Sequence, residues 1–122
     1  MGEPPRVLVV DDDAGIRDLL ELVLADAGYA VALAADGAAA LAMVDAVAPD
    51  VILLDMRMPV LDGWAFTEAY RRPGRRVPIV VMTAVRDAPE HAAQIAATGY
   101  LAKPFDLAEL LACVARYRPS HE

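Results

Sequence analysis

Two hydrophobic periodicities alternate along the chain from one end to the other. Short, nearly continuous apolar runs at Arg6–Val10, Tyr29–Leu33, Val51–Leu54, Ile79–Met82 and Tyr100–Ala102 have the length and β-branched character of strands covered on both faces. Between them lie stretches with helical spacing. Ile16, Leu19, Leu20, Val23, Leu24 and Ala27 follow the i, i+3, i+4, i+7 pattern, and Gly28 is placed to stop that helix. Asp36-Gly37 opens an alanine-rich helix carrying Leu41, Val44 and Val47, which Ala48-Pro49 stops. Trp64–Arg72 reads as a third helix with Phe66 and Tyr70 inward, ended by Pro73-Gly74; Pro89–Ala97 reads as a short fourth; Leu107, Leu110, Leu111 and Val114 mark a fifth.

Five strand-helix units predict an α/β fold with a parallel sheet and helices on both faces, because parallel neighbours require right-handed crossovers. At 122 residues the chain has the size of one domain, and the pattern places its core at about residues 6–114, with a polar tail over 118–122. The apolar runs are far shorter than the roughly 20 residues a membrane span needs, so no membrane anchor is expected. The first residues run straight into a strand, so no secretory leader is expected either. One cysteine, Cys113, excludes a disulfide scaffold and a zinc finger and points to the cytoplasm. Eighteen acidic against eleven basic residues, a formal charge of −7, argue against direct binding to nucleic acid. Ten of the basic residues are arginine; Lys103 is the single lysine.

In sheets of this kind, ligand chemistry gathers outside the carboxyl ends of the strands. Strands one, three, four and five end at Asp11-Asp12-Asp13, Asp55, Thr83 and Lys103. Taken singly, each has an ordinary reading as a cap, a turn former or a solvated side chain. Together they put several carboxylates and one ammonium at one edge. Carboxylates about 4 Å apart repel by about 4 kcal/mol per pair at an effective dielectric near 20, so a cation is required there. Mg²⁺ (or Mn²⁺), a hard ion that takes carboxylate, phosphoryl and water oxygens, fits such a set. A carboxylate beside it can act as a nucleophile toward phosphorus.

The stretches VLVVDDDAGIRDLL, VILLDMRMPVLDGW, PIVVMTA and YLAKPF resemble the receiver domain of bacterial two-component response regulators, over roughly Arg6 to Val114. The resemblance implies a flavodoxin-like, doubly wound (βα)5 sandwich with strand order 2-1-3-4-5, an order for which the family serves as a standard example. It implies that Asp55 accepts the phosphoryl group and that Asp11 and Asp12 organise the metal together with Asp55 and the backbone carbonyl of Arg57. Thr83 then supplies the hydroxyl that turns toward the phosphoryl group, Tyr100 is the aromatic that moves with it, and Lys103 is the cation of the family's KPF motif, joined to Pro104 by a cis peptide. Asp13 is read as the cap of the helix beginning near Ala14 rather than as a ligand.

Function follows as a phosphorylation switch. A sensor histidine kinase or phosphotransfer protein donates the group, and a downstream protein or output domain reads an output face that is also where a homodimer would form. The chain labels itself but is not a turnover enzyme. Arg57 and Val85, two residues beyond Asp55 and Thr83, offer no water-positioning acid or amide, so self-dephosphorylation is expected to be slow. Two features depart from the family: the segment between Thr83 and Tyr100 is short, and Ala96 stands where a glycine is customary. An aspartate-nucleophile phosphatase of the haloacid dehalogenase type ranks lower, since it needs an acid where Arg57 stands. A phosphate-independent receiver-like module is disfavoured by the complete set of acidic, hydroxyl and ammonium groups. His91 and His121 are read as solvated residues of a helix and a tail, Cys113 as a packing residue, Trp64 and Phe66 as core, and the Arg71, Arg72, Arg75 and Arg76 cluster as solvated surface.

Overall fold

A computed structural model describes residues 3–84 and 86–117. Val85, His121 and the tail at 118–122 lie outside the described residues, as do the readings made for them. The elements alternate strictly: β1 (Arg6–Val10), α1 (Ala14–Asp26), β2 (Ala30–Ala34), α2 (Gly37–Val47), β3 (Val51–Asp55), α3 (Gly63–Arg71), β4 (Ile79–Ala84), α4 (Ala88–Gln94), β5 (Gly99–Lys103) and α5 (Leu107–Tyr117).

Local chemistry sets most of these boundaries. Asp13, Asp36 and Asp62 each adopt an extended backbone and accept a hydrogen bond from the N–H three residues on, at 3.2, 2.8 and 2.9 Å, which satisfies one orphan donor at the start of α1, α2 and α3. Asp106 does the same for Glu109 at 2.7 Å. Asp13 is therefore the helix cap the spacing indicated. At the end of α1, Gly28 takes φ +100°, Tyr29 N–H returns to Leu24 C=O and Gly28 N–H to Ala25 C=O, a paired closure that needs a left-handed residue. This turn moves the start of β2 from the anticipated Tyr29 to Ala30.

All four strand pairings are parallel, in the order β2-β1-β3-β4-β5 that the resemblance implied. Strand alternation splits the core into two layers. Val7, Val9, Val51, Leu53, Val80, Met82 and Leu101 face α1 and α5, packing on Leu20, Leu24, Leu110 and Val114. Leu8, Val10, Ile52, Leu54, Ile79 and Val81 face the other side, against Val44 of α2, Phe66 and Tyr70 of α3, and Ala92 and Ile95 at α4. The same parity, followed to the carboxyl ends of the strands, assigns Asp11, Asp55 and Lys103 to the α1/α5 side of the sheet and Thr83 to the α4 side.

α4 differs from expectation. It ends at Gln94 rather than near Ala97, because Ala96 adopts φ +50°, Ala97 N–H bonds back to Ala92 C=O at 2.8 Å and Thr98 N–H is already committed to Ile79 C=O at 2.9 Å. Arg71 of α3 donates to the carbonyls of both Ile95 and Ala96, gripping the end of the helix, so this arginine is a structural clamp rather than solvated surface. The position where a glycine is customary does require a left-handed backbone, and here an alanine supplies it.

Candidate functional site

The loop that follows Asp55 is held by close backbone contacts. Gly63 N–H donates to Met56 C=O at 2.9 Å, and a Cβ on Gly63 would meet Met56 Cα at 2.7 Å; Gly37 N–H donates to Leu61 C=O at 3.0 Å, where a Cβ would come within 2.5 Å of that oxygen. Only glycine permits both approaches. With the loop pinned, β3 presents Asp55 beside the end of β1.

Asp11, Asp12 and Asp55 bring one carboxylate oxygen each within 4.8 Å of one another. Asp11 is fully buried and Asp55 nearly so, whereas Asp12 is exposed. Asp11 is oriented from several directions: one oxygen accepts Asp13 N–H at 2.9 Å, the other accepts Lys103 Nζ at 2.8 Å, and its backbone carbonyl accepts Arg17 Nη1 at 2.8 Å. Lys103, 92 residues away in sequence, also lies 3.8 Å from Asp55. The peptide bond from Lys103 to Pro104 is cis, as anticipated.

Burial, with the charge of Asp11 next, pushes the Asp55 carboxyl up from the ordinary 3.8 to about 6, although Lys103 and the backbone N–H of Arg57 pull the other way. Three carboxylates against one ammonium leave about two negative charges uncompensated, with pairwise repulsion of about 3 kcal/mol at this spacing. An all-oxygen set with that excess fits one hard divalent cation, and its open side faces a cleft of about 370 Å³ lined by Asp12, Met56, Arg57, Met58, Pro59, Asp62 and Trp64.

Thr83 is buried at the end of β4, one residue past Met82, the strand partner of Asp55. Its Oγ1 is hydrogen-bonded to His91 Nδ1 of α4 at 3.0 Å. Tyr100 on β5 is half-exposed. The arrangement thus converges Asp11, Asp12, Asp55 and Lys103, keeps Thr83 close by but engaged with α4, and leaves Tyr100 toward solvent.

Two further sequence readings need correction. His91 is not a solvated helix residue: it is 4% exposed, hydrogen-bonded to Thr83, and edge-on to Trp64 with ring centroids 4.8 Å apart. Ala88, His91, Ala92 and Ile95 are all buried and fall at i, i+3, i+4 and i+7, so the signal was present, masked by the alanines around it. Trp64 is only partly buried; its Nε1 donates to Gln94 at 2.7 Å and Arg57 lies 5.7 Å above its ring, so it lines the cleft as well as packing against the core. Phe66 and Cys113 are buried as expected.

Comparison with known proteins agrees with this geometry. The family model for the response regulator receiver domain matches residues 7–115. The response regulator MprA of Mycolicibacterium vanbaalenii is 44% identical over 111 residues, 89% of this chain and 48% of that protein. The transcriptional regulatory protein PrrA of Mycobacterium tuberculosis is 46% identical over 112 residues, 90% of this chain and 48% of that one. This chain spans about half the length of these relatives. Among solved structures, the chemotaxis protein CheY4 of Vibrio cholerae superposes with TM-score 0.85 at 37% identity, covering 93% of this chain and 98% of that one. The receiver domain of sensor histidine kinase PA1611 from Pseudomonas aeruginosa, solved with a magnesium ion coordinated in its active-site cleft, gives TM-score 0.83 at 38% identity over 93% and 97%.

Proposed function

Since the chain belongs to the response regulator receiver domain family, we propose that it is a phosphorylation switch in which Asp55 takes a phosphoryl group from a histidine kinase or phosphotransfer protein. The receiver unit is the stretch from about residue 6 to 114. The observation that carries the reading is the meeting of Asp11, Asp12 and Asp55 within 4.8 Å, with the lone lysine reaching into the same cluster.

Asp11, Asp12, Asp55 and the Arg57 carbonyl would hold Mg²⁺. Bound there, the ion supplies positive charge that neutralises the transferring oxygens. An oxygen of the ionised Asp55 carboxylate attacks phosphorus; the new O–P bond forms as the N–P bond of the donor imidazole breaks, and the electron pair leaves with that nitrogen. Lys103, tethered to Asp11, places a compact ammonium next to the phosphoryl oxygens. Thr83 turns its hydroxyl to a phosphoryl oxygen, and Tyr100 moves inward as that space opens. The added charge biases the output face formed by α4, β5 and α5 toward a downstream protein or output domain, with dimerisation through the same face.

The site carries out this labelling without turnover, and hydrolysis of the acyl phosphate is slow because Arg57 provides no group to position water. A haloacid dehalogenase-type phosphatase is not favoured, since the position that needs a second acid carries Arg57, its guanidinium lying over Trp64. Among the described residues no helix is long and apolar enough to cross a membrane, in keeping with a cytoplasmic switch. Intact-mass analysis after incubation with Mg²⁺ and acetyl phosphate should add one phosphoryl group to the parent and none to Asp55→Asn. Label persisting in the variant, or never appearing in the parent, refutes the assignment.

A further inference from the structure

α4 is the shortest helix of the fold, and its buried edge contains one polar side chain, His91. That imidazole is spent on Thr83, at 3.0 Å and out of solvent. Parity along β3 and β4 places Asp55 toward the α1/α5 layer and Thr83 toward α4, so the hydroxyl in this arrangement is turned to the helix and away from the carboxylate. A threonine has one hydroxyl and a stiff χ1. A rotation that carries Oγ1 to a phosphoryl oxygen on Asp55 carries it off Nδ1, so the bond is exchanged rather than shared.

We propose that His91 is a positioning residue that latches Thr83 in the unphosphorylated arrangement, so that phosphorylation is reported to α4 by rupture of the Thr83–His91 bond. The proposal rests on Thr83 being the phosphoryl-facing hydroxyl of the function above. The surroundings of His91 extend the consequence. Its ring meets the edge of Trp64, which also bonds to Gln94 on α4 and lines the cleft beside Asp12 and Arg57. Freeing the imidazole therefore loosens two contacts that hold α4 against α3, at the helix where the family's customary segment length and glycine are both altered.

A latch opposes activation by the worth of the bond it must give up. Removing it should tighten binding of a phosphoryl mimic by roughly three- to tenfold, the net range for one buried hydrogen bond. The test is a double-mutant cycle on the chain with Mg²⁺ and beryllium fluoride, the dissociation constant being read by calorimetry. His91→Leu keeps the apolar volume while deleting the bond, and His91→Ala serves as the second deletion. His91→Gln retains an amide for Thr83 and should restore nearly the parent value. In a Thr83→Val background all three changes at His91 should have no effect on the dissociation constant, a result that a packing role for His91 would not produce.

The latch is overturned if both deletions, melting as cooperatively as the parent, leave binding unchanged or weaken it, or if they shift it equally in the Thr83→Val background. Binding by the parent and not by Asp55→Asn, together with a flat cycle, removes the latch and leaves the phosphoacceptor reading intact. Failure of the parent to bind at all removes both.

Discussion

Replacing Asp55 with asparagine should stabilise the metal-free protein at pH 8, although Asp55 is the residue proposed to take the phosphoryl group. In the folded chain its carboxyl titrates at about 6 against 3.8 for the ordinary value, driven first by burial and then by Asp11. A group whose folded pKa is raised binds more protons folded than unfolded between those two values. Stability is therefore lost as pH rises from about 4 to about 6, and the full penalty is present above that window. A shift of about two units corresponds to about 3 kcal/mol at most. The carboxylate sits at a strand end beside exposed Asp12 and keeps a little contact with solvent, and screening by that water leaves about 1–2 kcal/mol. Asparagine keeps the shape and an acceptor for Arg57 N–H but cannot ionise. For a chain of this length the gain is about 4–8 °C in Tm. Thermal melts of parent and variant in EDTA should show that difference at pH 8, reduced to about a fifth of it at pH 4. Saturating Mg²⁺ should then favour the parent, which retains the third carboxylate. A variant that melts below the parent at pH 8 in EDTA, or a difference that does not change between pH 4 and pH 8, would refute the account of repulsion and burial at the site.

Two further outcomes follow from single contacts. Lys103→Met removes the ammonium 2.8 Å from buried Asp11; it should cost about 1–2 kcal/mol in denaturant melts at pH 7, and slow labelling by acetyl phosphate roughly a hundredfold. Unaltered labelling by that variant would remove Lys103 from the chemistry. Val60→Gly relieves a β-branched residue held at φ +70° and 80% exposed, in the loop after Asp55. The strain released exceeds the added freedom of the unfolded chain, so the variant should gain about 1 kcal/mol, seen as an upward shift of the denaturation midpoint; a loss would show that the Val60 side chain makes contacts worth more than its strain.

What the sequence determined by itself is what depends on neighbours along the chain. Capping by Asp13, Asp36 and Asp62 needs only the next three residues, and the left-handed turn at Gly28 needs only that glycine, so element boundaries fell within a few residues of those anticipated. That Asp11, Asp12, Asp55 and Lys103 share one edge was legible because a parallel sheet places every strand's carboxyl end there; that the three carboxylates meet also required β3 to lie beside β1. The strand order itself came from family likeness, since apolar runs of similar length carry no record of which neighbour they pair with.

Tertiary structure decided α4. An alanine-rich helix of seven residues has no large apolar stripe to declare which face it buries, and that face was set by packing on Val81, Phe66 and Trp64, which drew His91 inward onto Thr83. Its end was set from elsewhere too, by Arg71 reaching across from α3 to the carbonyls of Ile95 and Ala96 and by β4 claiming Thr98. Local propensity is a weak force, worth tenths of a kcal/mol per residue, and it yields wherever buried contacts between distant segments compete with it.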